Sequence, residues 1–373
     1  MVRALDEAET LTAPTSSKLR VAIVGATGIA GQQFVDALRD HPRFEIAVLA
    51  ASSRSAGRSY GDALRDAKTG ALRWWCADAA PARTLDLPVV DGARLDAGDV
   101  DLVFSAIESD VARELEPKWA ALRPVVSTAS AYRYEDDVPL LIPGVNLDHA
   151  RLLHAQRTRR SWRGFVVPIP NCTTTGLAIA LKPLHERYGV ERVAMTSMQG
   201  ISGAGRSPGV VALDIIDNVV PFIPGEEEKV ARETKKILGT FGEGGIVPAS
   251  CVVSATCTRA AVLEGHTEAV SVGLARPCSP AEAAAAMREW RSGVEELPSA
   301  PRRFITVLDD PFRPQPRLDR DADGGMTTSV GRLRPDELWA HGLRFVLVSH
   351  NTKMGAAKGA LLLAEALDRD GYL

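Results

Sequence analysis

Leu19-Arg20-Val21-Ala22-Ile23-Val24-Gly25-Ala26-Thr27-Gly28-Ile29-Ala30-Gly31 decides the fold. Its first six residues form an aliphatic run that predicts a buried strand. Gly25, Gly28 and Gly31 then turn the chain into a helix expected over Gln32–Asp40. Phe44–Ala50 predicts a second strand and Val100–Ala106 a further one. Strand, glycine turn, helix and strand make a βαβ unit, which requires a parallel sheet with right-handed crossovers. Val125–Ser127 and Pro139–Pro143 read as the last strands of this half.

The glycine turn also carries chemistry. Glycines between a strand and a helix let a pyrophosphate approach the helix N-terminus closely. Gly25, Thr27, Gly28, Ile29 and Gly31 are the candidate cradle, although the spacing is GxxGxxG rather than the commoner GxGxxG. A plain glycine-rich turn is the alternative. NAD binders place a carboxylate about 20 residues further on, against the ribose 2′-hydroxyl. Here that place reads Ala50-Ala51-Ser52-Ser53-Arg54-Ser55 and holds no carboxylate. The hydroxyls of Ser52 and Ser53 and the Arg54 guanidinium suit a 2′-phosphate, which favours NADP over NAD. Read alone, Arg54 is equally a solvated loop cation.

A length of 373 residues predicts two domains. The five cysteines (Cys76, Cys172, Cys251, Cys257 and Cys278) form an odd count without framework spacing, which fits a reducing, cytoplasmic setting. A formal charge of −3 gives no electrostatic reason to bind nucleic acid. No apolar run approaches the roughly 18 residues that a membrane helix needs. Residues 1–18 carry Asp6, Glu7 and Glu9 without the apolar core of a secretory signal, and are expected to be a frayed leader.

From about residue 165 the texture becomes α+β. Strands are expected at Val193–Gln199, Ala249–Ala255, His266–Leu274 and Phe304–Leu308, and helices at Pro224–Leu238 and Ser279–Trp290. The second helix opens with Ser279 as N-cap and Pro280 at the first helical position. One mixed sheet covered on one face accounts for this pattern. A last helix, Lys353–Leu367, is expected to pack back on the first half.

Pro170-Asn171-Cys172-Thr173-Thr174-Thr175 places one cysteine at the mouth of a helix. A helix N-terminus favours a thiolate, the nucleophilic form, and its free N–H groups suit an oxyanion. His266 follows Gly265 and stands near Arg259 and Glu268, which makes it the candidate base. Asn171 is placed to donate its amide to a substrate oxygen or to orient the thiol. Gln199 leads into the second glycine-rich loop, Gly200-Ile201-Ser202-Gly203-Ala204-Gly205-Arg206, which suits close backbone approach or serves as a flexible connection. Glu226 and Lys229 share a helix face, where they meet an ammonium and a phosphate or form a solvated surface. Cys251 and Cys257 read as buried structural thiols, and zinc is rejected on spacing.

At these residues the chain resembles the aspartate-semialdehyde dehydrogenase family, above all its archaeal and fungal branch. The shared motifs are GATGIAG, SAYR, VPLLIPGVN, PNCTTT, QGISGAG, DNVVPFIPGEEEK, EGHTEAV, RPQPRLDR, GMTTSVGR and SHNTKMGAA, in the family's order. The resemblance implies a leader (1–18), a Rossmann NADP domain (19–150), a catalytic and dimerisation domain (151–348) and a C-terminal helix returning to the first domain (349–373). It implies NADP- and phosphate-dependent interconversion of 4-phospho-aspartate and aspartate semialdehyde by a homodimer or homotetramer.

In that likeness Cys172 is the nucleophile, His266 the acid/base, and Asn171 and Gln199 support the thiol and intermediate. Arg259 takes the substrate carboxylate, Glu226 its ammonium, and Arg133 and Lys229 the phosphate. Ser202, Gly203 and Asn351 meet the nicotinamide end. Two departures stand out: Ser127-Thr128-Ala129 lacks the family's frequent asparagine, and Gly200 replaces a more usual alanine. Relatives of this fold also reduce malonyl-CoA or N-acetylglutamyl phosphate. A non-catalytic NADP-binding protein is the remaining alternative.

Overall fold

The computed structural model describes residues 18–205 and 209–373. The expected leader, apart from Lys18, and Arg206 lie outside the described residues. The first sheet has six strands: β1 (Leu19–Val24), β2 (Phe44–Ala51), β3 (Val89–Asp91), β4 (Leu102–Ser105), β5 (Val125–Ser127) and β6 (Val166–Pro168). Their order is β3-β2-β1-β4-β5-β6, and every pairing is parallel. A parallel sheet is covered on both faces, so its strands are apolar throughout rather than alternating. Val21, Ala22 and Ile23 accordingly have no exposed surface.

The helix after β1 runs Ile29–Ala37, starting three residues before the expected Gln32. Gly28 is its extended N-cap, so Ile29 and Ala30 already lie in the first turn. Gly31 packs on the turn itself, where an added Cβ would fall 2.1 Å from the Gly25 carbonyl oxygen.

Pro139–Pro143 is not a strand. Two prolines remove two ladder donors, yet Leu140, Leu141 and Ile142 are buried. Asn146 satisfies the segment instead. Its Oδ1 accepts from Ile142 N at 2.9 Å and its Nδ2 donates to Leu140 O at 2.8 Å. The sheet ends on β6, past the boundary expected at residue 150, with helix Leu152–Arg160 as the preceding crossover.

The second sheet takes β7 (Val190–Gln199), β8 (Val219–Val220), β11 (Val252–Ala260), β12 (His266–Leu274), β13 (Ile305–Leu308), β14 (Thr328–Asp336) and β15 (Gly342–Ser349). β9 (Thr240–Gly242) and β10 (Gly245–Val247) form a separate hairpin. The order is β13-β14-β15-β12-β7-β11-β8. β7–β11 and β13–β14 are parallel and the other pairs antiparallel, so the sheet is mixed, as expected.

One face of this sheet packs on three helices, Cys172–Tyr188, Glu226–Ile237 and Pro280–Glu289. Ser279 caps the last in a full capping box with Glu282. On β12, His266, Glu268, Val270 and Val272 point to the covered face, while Thr267, Ala269 and Ser271 keep contact with solvent. The C-terminal helix, Ala357–Arg369, joins the two cores. Ala360, Leu361 and Ala364 pack with Val21 and Phe104, whereas Leu362 and Ala366 pack with Leu177 and Leu347.

Asn146→Ala leaves a buried N–H and a buried C=O without partners, each costing about 1–3 kcal/mol. Urea denaturation should show a lower midpoint with unchanged slope. An unchanged midpoint would mean that the 139–143 segment is held by other contacts.

Candidate active site

A cleft of about 810 Å³ lies between the two sheets. Ile107, Glu108 and Ser109 enter it after β4, Thr128, Ser130 and Arg133 after β5, and Asn171 and Cys172 after β6. Carboxyl ends of parallel strands are where open α/β sheets bind ligands. The second sheet contributes Gln199 from the end of β7 and Arg259 from β11, and the Glu226 helix contributes Glu226 and Lys229. β11 begins at Val252 rather than Ala249 and runs to Ala260, which carries Arg259 into the strand.

Cys172 opens its helix with Asn171 as N-cap. Asn171 Oδ1 accepts from Thr173 N at 2.9 Å and Thr174 N at 3.2 Å. Two N–H groups expected to be open to an oxyanion are therefore already engaged. The Asn171 amide donates to Glu226 Oε1 at 2.6 Å, and its backbone N–H donates to Glu233 Oε2 at 2.7 Å. Cys172 Sγ lies 3.1 Å from His266 Nε2. On the far side of the ring, Gly200 N donates to Nδ1 at 3.1 Å.

The helix terminus does not act on the sulfur alone. Burial pushes the Cys172 thiol up to about 12, and Glu226 adds to the rise, while Arg259, Arg133 and the Thr173 N–H oppose it. A change from about 9 to about 12 corresponds to roughly 4 kcal/mol. A helix terminus contributes about 0.3–1 kcal/mol, up to about 2 in partly buried sites. Desolvation wins, so cations must complete the site. Burial also lowers His266 to about 3, with Arg259 and His350 adding to the effect.

The expected binding residues converge on the sulfur. Arg259 donates from Nη1 to Gly200 O at 2.8 Å. Gln199 Nε2 donates to Ser197 Oγ at 3.2 Å and lies 3.4 Å from Glu226 Oε1. Lys229 Nζ is 3.6 Å from Glu226 Oε2. Arg133 pairs with Glu233 at 3.0 Å and donates to Thr128 O at 3.0 Å. Asn351 accepts from Gly265 N and donates to Ser202 Oγ, both at 2.8 Å, which ties the second glycine loop to the turn before His266. Glu268 is fully buried with no hydrogen-bond partner among the described residues, and burial raises its carboxyl well above the usual range.

The nucleotide residues lie apart from the sulfur, at the carboxyl ends of β1 and β2. The Ile29–Ala37 helix has no side-chain cap and no acidic residue in its first turn, which leaves its N-terminus to an anion. Gly28, Ser52, Ser53 and Arg54 are exposed. Arg54 makes no hydrogen bond or ion pair with another described residue. These features fit a phosphorylated dinucleotide.

Two residues of the site escaped the sequence reading. Glu233 is buried and joins Arg133, the Tyr134 hydroxyl and Asn171 N. Its signal was available, since it stands two helical turns after Glu226 on the same face. Gly355 backs the nucleophile, and a Cβ there would fall 2.8 Å from Cys172 Cβ. No spacing rule marks that contact.

Residues 20–153 match the family described as "Semialdehyde dehydrogenase, NAD binding domain", and residues 181–354 match "Semialdehyde dehydrogenase, dimerisation domain". An aspartate-semialdehyde dehydrogenase of Methanothermobacter thermautotrophicus is 46% identical over 352 residues, covering 94% of this chain and 99% of the relative. The chain belongs to the aspartate-semialdehyde dehydrogenase family. The Saccharomyces cerevisiae member is 41% identical, over 92% of this chain and 96% of its own. Among solved structures, the Candida albicans aspartate-semialdehyde dehydrogenase with NADP superposes with a TM-score of 0.83 at 39% identity, covering 95% of this chain and 100% of that one.

Two glycines test the packing of this family's site as it stands here. A Cβ at Gly203 would lie 2.9 Å from Arg259 Nη1 and 3.3 Å from His266 Cε1. Displacements near 1 Å at a reacting centre cost on the order of 10²-fold. Gly203→Ala and Gly355→Ala should each slow alkylation of Cys172 by iodoacetamide at least several-fold while leaving the circular dichroism unchanged. Wild-type alkylation rates would show that the ring and the sulfur tolerate the added carbon.

Proposed function

We propose that the chain is an NADP-dependent, phosphate-dependent aspartate-semialdehyde dehydrogenase that reduces 4-phospho-L-aspartate to L-aspartate 4-semialdehyde through a thioester on Cys172. One observation carries this reading: the sulfur stands 3.1 Å from His266 Nε2 in a cleft that also holds Arg259, Glu226, Arg133 and Lys229.

In the reducing direction His266 Nε2, 3.1 Å away, takes the Cys172 proton as the sulfur attacks the acyl carbon and the bond to phosphate breaks. The departing group meets Arg133 and Lys229, whose charges offset its own. Arg259 suits the α-carboxylate, because a guanidinium recognises a planar anion through two parallel donors. Glu226 suits the α-ammonium. Asn171 and Gln199 hold Glu226 in place and face the reacting carbon. Bound NADPH supplies the hydride that converts the thioester to a tetrahedral adduct. His266 returns its proton to the sulfur as that adduct expels it and releases the aldehyde. Ser202, Gly203 and Asn351 position the nicotinamide end, the β1 and β2 turns hold the phosphates, and Arg54 answers the 2′-phosphate. The segment 19–150 thus holds most of the nucleotide contacts and lends Arg133 to the substrate, 151–348 holds most of the substrate contacts and lends Ser202 and Gly203 to the nucleotide, and 349–373 braces the first sheet against the second.

We place the protein in the cytoplasm as a homodimer or homotetramer. All five cysteines are free thiols, which suits a reducing compartment. The uncovered face of the second sheet presents Thr196, Ser254, Thr256, Ala269 and Arg344 as a broad surface for a second copy. No helix among the described residues is long and apolar enough to cross a membrane.

The test is phosphate-dependent reduction of NADP by aspartate semialdehyde. Cys172→Ser should abolish it, and His266→Ala should lower kcat by about 10²–10⁴-fold. Undiminished turnover by Cys172→Ser would refute the covalent route. Activity with malonyl-CoA or an N-acylated acyl phosphate, but not with aspartyl phosphate, would reassign the substrate.

A further inference from the structure

We infer that Lys236 is a positioning residue for phosphate recognition: its ammonium ties the loop that carries Arg133 to the helix that carries Lys229, and so fixes the separation of the two cations. The inference rests on the reading of Arg133 and Lys229 as the phosphate pair.

The Glu226–Ile237 helix spaces Glu226, Lys229, Glu233 and Lys236 so that all four share one face. Glu226 and Lys229 line the cleft. Glu233 accepts from Arg133 Nη1 at 3.0 Å. Lys236, the last of the row, reaches the backbone of the same arginine. An ammonium carries three N–H donors and no acceptor. Lys236 Nζ donates to Arg133 O at 2.8 Å, to Glu135 O at 3.1 Å and to Val138 O at 2.7 Å.

Residues 133–138 form neither helix nor strand. Their own backbone bonds are long: Arg133 N to Ser130 O, Glu135 N to Tyr132 O and Val138 N to Glu135 O are each 3.3 Å. Hydrogen bonds from an ionised donor are roughly twice as strong as neutral ones, so the lysine supplies the order that a ladder would otherwise give. Asp137 pairs with Arg160 at 2.6 Å, which holds the far end of the loop, and the Tyr134 hydroxyl donates to Glu233 at 3.2 Å.

Arg133 is consequently held at both ends. Glu233 and Thr128 O fix Nη1 and Nη2, and Lys236 fixes the carbonyl. The Arg133 Nε is buried and makes no hydrogen bond with another described residue, while the side chain lines the cleft. A buried donor left unpaired is costly, and an anionic oxygen in the cleft would satisfy it. Lys229 lies about two helical turns before Lys236. Any slip of the loop along the helix therefore moves one phosphate cation against the other. Displacements near 1 Å at such a site cost on the order of 10²-fold.

A cavity of about 510 Å³ beside Lys236 is lined also by Tyr134, Glu135, Arg232 and Lys235. Water entering there can bond the three carbonyls once the ammonium is removed. Loss of Lys236 then loosens the loop without leaving those carbonyls dry.

The test is steady-state kinetics of NADP reduction by aspartate semialdehyde, with inorganic phosphate, NADP and the aldehyde each varied in turn. Lys236→Met keeps an unbranched chain of similar length and removes the ammonium. It should raise the KM for phosphate at least several-fold and leave the KM for NADP, the KM for the aldehyde and kcat at saturating phosphate unchanged. A lysine with a merely structural role would lower kcat or raise all three KM values together, and that result overturns the inference, as does a wild-type KM for phosphate. Should circular dichroism show that Lys236→Met does not fold, Lys236→Gln, which keeps an amide donor for the carbonyls, is read in the same way. Arg133→Met separates the inference from the reading beneath it. A wild-type KM for phosphate in Arg133→Met overturns both. A raised KM there beside an unchanged one in Lys236→Met overturns the inference alone.

Discussion

The approach of His266 Nε2 to Cys172 Sγ at 3.1 Å is the contact on which the rest depends. It sits at the joint between two differently built sheets. Cys172 follows β6, the last strand of the parallel sheet, by four residues, and His266 is the first residue of β12 in the mixed sheet. Neither side chain reaches the other unless both sheets form and dock. The C-terminal helix, packed into both cores, holds that docking.

Burial sets the terms of the chemistry. A desolvated sulfur resists ionisation, and a desolvated imidazole resists protonation. Both effects operate here, and that on the sulfur exceeds what a helix terminus offsets. The guanidiniums of Arg259 and Arg133 are the groups that favour an anion, and each is anchored by a group other than substrate. Arg259 is held by the Gly200 carbonyl, and Arg133 by Glu233 and the Thr128 carbonyl. Close approach requires missing side chains, which is why Gly203 and Gly355 stand against the imidazole and the nucleophile. Such preorganisation lowers the reorganisation needed when charge develops.

Much of this was legible in the sequence, for identifiable reasons. β1 and its glycine turn read directly, because an apolar run and a steric requirement for glycine are local properties. The Ser279 capping box did so for the same reason. Local signals failed where tertiary contacts decide. Pro139–Pro143 is apolar enough for a strand, but its two prolines and the Asn146 side chain give it another solution. β6 is only three residues long and was hidden by Pro168. β14 contains a register shift and Arg332 at φ 61°, so its pairing rather than its propensity makes it a strand. In the site, the residue types were visible, while Glu233 and Gly355 act through contacts that only the fold creates.

The most direct measurement is intact-mass analysis of enzyme mixed with 4-phospho-L-aspartate in the absence of NADPH. The account predicts stoichiometric release of phosphate together with an aspartyl mass increase on the peptide that carries Cys172, discharged when NADPH is added. Hydride transfer at full rate with no acyl adduct on that peptide would contradict it.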